Sequence, residues 1–410
     1  MPMLLKLAWR NIWRQRRRTL ITVSAMAFGV AFCMASIALD DWLFGEVFEI
    51  LVTRNLGHVQ VHAPAFPAQR GLTETIADAD AVVAQLDAVP GATAVTARLF
   101  GNALLAVGDE AAGAQLIGVS PEREQAATGV GQRLVQGRFL GAAGGREIVL
   151  GTGLSETLRA AVGAEVVAVT QAADGSLGNE LFRVVGIVKT GSVVVDRAGA
   201  FVHLDDAREL LALPGQAHEL ALVARERAVV PALAAAGRAA LADRGLLVRS
   251  WNEIQPQLAS MMRLTVVVNW IFLIMIFSVA ALGVLNTMLM SVFERTKELG
   301  VLRALGLRPG QLVALVLLES LLLAALAVVA GGALGAALDA FLVYRGIDMS
   351  WLSKGWSWYG ASFPPVYYGV VKPFGVIAPL VGMVVIGLLA SLWPAWRAAR
   401  LQPVAAMRQE

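Results

Sequence analysis

The densest chemistry in this chain lies in Glu294-Arg295-Thr296-Lys297-Glu298-Leu299-Gly300-Val301-Leu302-Arg303-Ala304-Leu305-Gly306. Acids and bases are interleaved there between two long apolar runs, so the chemistry on offer is ion pairing and docking rather than bond making. On a helix, Leu299, Leu302 and Leu305 fall on one side, while Glu294, Lys297, Glu298 and Arg303 are spaced three or four residues apart. Gly306 and Pro309-Gly310 stop such a helix. Its leucines would rest on membrane spans and its charges would face a partner. A loop that only fixed topology would need neither glutamates nor a leucine face.

Other candidates carry less. Glu319 lies about seven residues inside an apolar run, where a carboxylate costs about 2.5–3.5 kcal/mol to insert and is a functional residue by default. A proton relay is disfavoured because no second acid falls within the expected spans, and the family resemblance set out below implies instead an interior polar contact that helps transmit motion. His58 and His62 would share a helix face, but their run alternates as a strand, separating them by about 13 Å, too far for one metal ion. No H-E-x-x-H and no Cys/His cluster occurs, so no metal site is expected. The chain has no Gly-Lys dipeptide, hence no G-x-x-x-x-G-K-[ST] phosphate cradle, and it is expected to be non-catalytic with no cofactor of its own.

The elements that must hold these residues are membrane helices. With 57% hydrophobic and 16% charged residues and a mean hydropathy of +0.64, the chain is too apolar for a soluble protein of its length. The expected fold class is an α-helical membrane protein with four transmembrane helices plus a large α+β, bilobed extracytoplasmic domain between helices 1 and 2. The expected boundaries are an interfacial helix at 1–19, spans at 20–41, 263–293, 311–338 and 374–396, the large domain at 42–262, the charged segment at 294–310, an aromatic loop at 339–373 and a tail at 397–410. Within 1–19, Leu5, Trp9, Ile12 and Trp13 recur at helical spacing opposite arginines, as in a helix lying on a membrane surface. The first apolar run exceeds the length of a secretory signal core and reads as a retained anchor. Cys33, the only cysteine, lies inside it, which leaves the large domain without a disulfide.

Charge orients these elements. The segments before span 1, after span 2 and after span 4 hold 13 basic residues against three acids, whereas Asp40 to Arg263 holds 18 basic and 25 acidic residues. Lysine and arginine excess marks the cytosolic face, which puts 294–310 inside and 42–262 outside. In the large domain, alternating runs at 58–62, 147–150, 182–188 and 219–223 predict strands, and 78–89, 205–213 and 230–244 predict helices. The glycine-rich middle, about 112–197, is expected to be an inserted lobe. The aromatic residues of 339–373 predict a belt at the headgroup level.

The charged segment resembles the coupling segment of FtsX-like, macrolide-efflux-type ABC transporter permeases. Leu7-Ala8-Trp9-Arg10-Asn11 with Arg17-Arg18-Thr19, and Pro394-Ala395-Trp396-Arg397-Ala398-Ala399-Arg400 with Pro403-Val404, are similar to the sequences that open and close that family's membrane half. Gly57-His58-Val59-Gln60-Val61-His62 and the long aromatic loop look most like its lipoprotein-releasing branch. The resemblance implies a permease working by mechanotransmission, with Glu294, Arg295, Lys297, Glu298, Leu299, Gly300, Leu302, Arg303, Ala304 and Gly306 coupling to an ABC ATPase dimer that binds ATP and Mg. It further implies a second permease copy or homologue as partner, no nucleic acid, and a multi-pass place in the bacterial inner membrane with the large domain periplasmic. A membrane lipid or lipoprotein cargo would enter a cleft of Met34, Ile37, Ala38 and Trp42 with Val266, Val267, Trp270 and Ile271. Efflux of drugs or peptides from the periplasm, or regulation of a cell-wall hydrolase, are the alternatives.

Overall fold

The computed structural model describes residues 2–142, 144–351 and 355–400, so most of the expected tail and part of the aromatic loop lie outside the described residues. The chain divides into two compact units. One is formed within Met1–Phe44, Met262–Leu352 and Val366–Glu410, the other within Gly45–Met261 and Ser353–Pro365.

The first unit is helical: α1 (Pro2–Ile12), α2 (Arg16–Phe48), α3 (Pro256–Glu294), α4 (Thr296–Ala304), α5 (Pro309–Tyr344) and α6 (Pro373–Ala399). Four of these, α2, α3, α5 and α6, are long and apolar enough to cross a membrane. Each outruns its expected bounds, and α2 passes into wide helical turns that end only at Leu56. Apolarity marks only the stretch of about 20 residues that hydrocarbon demands. Arg16-Arg17-Arg18, Asp339 to Tyr344 and their like continue the same backbone ladder beyond it.

The expected surface helix 1–19 is instead α1, a 3₁₀ turn at Trp13–Gln15 and the start of α2. Thr19 Oγ1 donates to the Ile12 carbonyl across that turn at 2.6 Å. Ala8 and Ile12 are buried while Leu5 and Trp9 are exposed, so the apolar stripe is split between packing and surface.

Close approach holds α5 to α2. A Cβ on Gly331 would stand 2.6 Å from the Ala27 carbonyl oxygen, and one on Gly335 would stand 2.6 Å from the Met34 sulfur, so only glycine lets these backbones meet. Thr22 and Thr287 share a hydrogen bond of 2.8 Å between α2 and α3, and Ser320 Oγ donates to the Gly387 carbonyl at 2.8 Å between α5 and α6. By contrast, α3 leaves a broad apolar face exposed, including Val266, Val267, Trp270, Ile271 and Ile274.

The second unit is built on ten strands: β1 (Val59–His62), β2 (Ala92–Val107), β3 (Glu110–Val119), β4 (Leu134–Gly137), β5 (Glu147–Gly151), β6 (Glu165–Gln171), β7 (Leu177–Val188), β8 (Gly199–His203), β9 (Glu219–Ala224) and β10 (Leu247–Ser250). They form one sheet in the order β10-β1-β9-β2-β3-β8-β5-β7-β4, with β6 paired to both β2 and β7. The pairings β2-β3-β8-β5-β7-β6-β2 therefore close a six-stranded ring. Leu105, Leu116, Ile148, Leu150 and Phe182 are among its fully buried side chains.

The inserted lobe expected at 112–197 is corrected by this topology. The ring needs β2 and β8, which lie outside those bounds, and β2 is shared with the β9-β1-β10 side of the sheet. Arg98 marks the changeover, pairing in register with Glu219 of β9 and with Val119 of β3. Its guanidinium is 5% exposed and reaches Glu124 at 2.8 Å and Glu219 at 2.9 Å. Burial opposes its charge, yet the two glutamates outweigh burial and hold Arg98 above its ordinary range.

The aromatic loop also departs from expectation. Trp356–Trp358 and Ala361–Phe363 form a hairpin that belongs to the second unit. Ser362 N–H donates to the Gly191 carbonyl at 2.7 Å, and Val193 N–H donates to the Gly360 carbonyl at 2.8 Å. Backbone groups at the hairpin tip are thus satisfied by the α+β domain rather than by a headgroup layer.

Candidate functional site

The charged segment between α3 and α5 is a short helix, α4, because Gly306 at φ +97° ends it in a conformation other residues rarely adopt. Gln311 Oε1 then accepts from the Arg308 N–H at 2.9 Å, and Pro309 starts α5. Leu299 and Gly300 are buried and Leu302 packs against the membrane-helix core, as a leucine face requires. Leu305 breaks from that face. It is 80% exposed, because the helix stops at Ala304 and its last turn points the side chain away.

The charges of the segment are arranged in a way the sequence did not suggest. Arg295 Nη1 donates to Glu319 Oε1 at 2.9 Å, with side-chain exposures of only 13% and 6%. Asn11 Nδ2 of α1 donates to the same oxygen at 2.6 Å. Arg295 Nε also reaches Glu298 at 3.3 Å, and Arg14 Nη1 reaches Glu298 at 2.5 Å. The hydrogen bond from Arg14 leads the effects that hold the Glu298 carboxyl below its ordinary range. Glu294 accepts from Gln15 and from Arg18, the latter at 3.3 Å. Arg303 donates to the Ala399 carbonyl of α6 at 3.0 Å.

Arg295 and Arg303 thus tie α4 and its start to α5 and α6, Glu294 at the end of α3 meets Gln15 and Arg18, and Glu298, itself exposed, meets Arg14 of the 3₁₀ turn, so part of the expected charge face is engaged within the helical unit. The exposed surface of α4 and its end includes Lys297, Glu298, Val301, Ala304, Leu305, Gly306 and Arg308. The signal missed was the polar run Asn11 to Arg18, which supplies the counter-charges. Chemically, the assembly offers a buried, charge-assisted contact between the start of α4 and Glu319 inside α5.

The expected cleft residues of α2 and of α3 have different surroundings. Met34 packs under Gly335, Ile37 stands near Gly375, and the Ala38 carbonyl accepts from Val370 N–H at 2.9 Å, so all three meet α5, α6 or the segment before α6. Trp42 meets Tyr367 and Tyr368 at steep ring angles, with centroids 5.6 and 6.3 Å away. Val266, Val267, Trp270 and Ile271 lie on the exposed face of α3, with Trp270 against Phe374 at 5.7 Å. What lies between α2 and α3 instead is a groove of about 340 Å³ lined by Met26, Phe28, Gly29, Met275, Ile276 and Val279, among others. A second acid does lie within a long apolar helix: Asp339 falls inside α5, is buried, and its Oδ1 has no hydrogen-bond partner among the described residues.

Four long apolar helices, a large α+β domain and a charged helix tied into the membrane bundle define a membrane-embedded permease. Residues 19–240 match the MacB-like periplasmic core domain, and residues 270–403 match the FtsX-like permease C-terminal domain. The chain belongs to this FtsX-like and MacB-like family of ABC transporter permeases. It is 29% identical over 332 residues to the lipoprotein-releasing system transmembrane protein LolC of Neisseria meningitidis serogroup B, covering 78% of this chain and 79% of that one. It is 24% identical over 442 residues to LolC of Xylella fastidiosa, covering 100% and 99%. Over 132 residues it is 36% identical to the macrolide export ATP-binding/permease protein MacB of Shewanella oneidensis, covering 32% of this chain and 17% of that protein.

Proposed function

We propose that this chain is the non-catalytic membrane subunit of an ABC transporter that extracts lipoproteins or other lipid-anchored cargo from the outer leaflet of the bacterial inner membrane. The α+β domain is periplasmic and α4 faces the cytosol, in keeping with the arginine distribution. An ABC ATPase dimer, carrying ATP and Mg, docks on Lys297, Val301, Leu305 and Arg308, and a second permease copy or homologue covers the exposed face of α3. Closing of the ATPases displaces α4, and the Arg295–Glu319 contact passes the displacement to α5, whose glycines grip α2.

The single observation that carries this reading is the burial of Arg295 and Glu319 as a hydrogen-bonded pair joining the charged helix to a membrane helix. Full-length relatives named for lipoprotein release support the choice of cargo. The test is ATP-dependent transfer of an acylated reporter protein from proteoliposomes to a soluble acceptor, with the co-purified ATPase present. The reading expects transfer that needs the acyl group. Equal handling of the non-acylated reporter, or transport of a macrolide alone, sinks the cargo assignment in favour of export.

A further inference from the structure

The α+β domain contains a cavity of about 1020 Å³ that the coupling path does not use. Small-molecule sites run to about 1,000 Å³, so this one has room for a single drug-sized or single-chain lipid-like molecule and not for a folded partner. Its charged lining is unbalanced: Arg54, Arg70, Arg98 and Arg249 face it, against Glu124 and Glu219. Both glutamates are already engaged by Arg98. Arg54 is paired with Glu46 at 3.7 Å and Glu49 at 3.1 Å. The side chains of Arg70 and Arg249 are left with no ion-pair or hydrogen-bond partner among the described residues.

Among polar residues such as Gln60 and Gln255, the wall also carries a run of apolar and aromatic side chains. Phe66 is sandwiched near His62 and His218, with ring centroids 5.2 and 5.0 Å away, and Phe100 stacks beyond at 6.5 Å. His218 is fixed as one neutral tautomer, since its Nδ1 accepts from the Phe100 N–H at 3.0 Å while Nε2 donates to the Leu72 carbonyl at 2.9 Å. Burial keeps His62 below its ordinary range despite Glu219, and Arg249 and Arg70 add to that depression. Leu51 and Leu258 extend the apolar run. Uncompensated cations next to neutral apolar and aromatic side chains suit a ligand with an acid at one end and hydrocarbon at the other.

We infer that the cavity binds one anionic amphiphile, its acidic head held by Arg70 and Arg249 and its chain lying against Leu51, Phe66, Phe100 and Leu258. The inference does not depend on which cargo the permease carries. It is tested with the full-length chain in phosphatidylcholine nanodiscs, using radiolabelled laurate with binding to empty nanodiscs subtracted. Competitors are dodecyltrimethylammonium, which has the same chain with the opposite charge, and acetate, which has the acid without the chain.

Saturable laurate binding is expected, displaced by either competitor at least about tenfold less well than by unlabelled laurate. Arg70→Gln and Arg249→Gln should each weaken binding about tenfold or more, and Arg249→Lys should restore most of it because it keeps a point charge. Absence of saturable binding, equal competition by the cation, or wild-type affinity in the double glutamine variant overturns the proposal. Equal competition by acetate also overturns it, leaving a bare anion site. If the glutamine variants fail to fold, the two competitors on the wild-type chain still decide.

Discussion

Replacing Arg295 by methionine keeps the apolar stem and deletes the guanidinium, stranding a Glu319 carboxylate whose side chain is 6% exposed. Removing one partner of a buried pair costs about 3–5 kcal/mol. Asn11 still donates to Glu319 at 2.6 Å, so the expected loss is at the low end, about 3 kcal/mol. Glu319→Leu should cost less, about 1–2 kcal/mol, because Arg295 keeps Glu298 at 3.3 Å and needs no carboxylate within the helix bundle. The double variant no longer buries an uncompensated charge and should resemble Glu319→Leu alone, giving a coupling energy of about 3 kcal/mol. Reversible unfolding of the full chain in mixed micelles, titrated with a denaturing detergent, measures all four corners of the cycle. Additivity within about 0.5 kcal/mol would show that the pair carries no coupling and would refute the proposed path through Glu319.

The α+β domain makes a parallel case: Arg98→Met leaves Glu124 and Glu219 facing each other in the interior and should destabilise the domain by about 3–5 kcal/mol, read as a lower chemical-denaturation midpoint. His58, His62 and His218 are all held below the ordinary histidine range, burial being the first cause in each. The unfolded chain then takes up more protons than the folded one below about pH 6.5, so stability should fall as pH drops from about 7 to 5, and His62→Gln with His218→Gln should flatten that dependence. Gly331→Leu should separate α5 from α2 and abolish transport while leaving the ATPase bound to α4, which co-purification reports; loss of ATPase binding would contradict the separation of these roles.

Glu319 was legible in the sequence because a carboxylate within an apolar run is rare and costly. Its partner Asn11 was not, lying 308 residues away in a segment whose arginines read equally well as a topological flank. The leucine face of α4 followed from helical spacing as far as Leu302, but Leu305 depended on where Gly306 stops the helix. Individual strands were visible as alternating runs, whereas closure of the ring rests on β6 pairing with β2 across some 60 intervening residues, a non-local choice that no local pattern encodes. The surroundings of the cleft residues were hidden for a related reason. Apolar residues at the ends of two spans give no sign of their rotation, and Met34 and Ala38 are turned toward α5 and Val370 by the glycines and backbone bonds they meet.

The central claim is that the exposed end of α4 receives the ATPase while its buried charges hold the membrane bundle. Site-directed cross-linking on a Cys33→Ser background tests it most directly, with Leu305→Cys at the exposed end and Leu299→Cys at the buried face, in membranes containing the co-expressed ATPase. A nucleotide-sensitive cross-link from Leu305→Cys to the ATPase, with none from Leu299→Cys, is the predicted result. Absence of any ATPase adduct at Leu305→Cys, while the ATPase still co-purifies with the chain, would contradict the account.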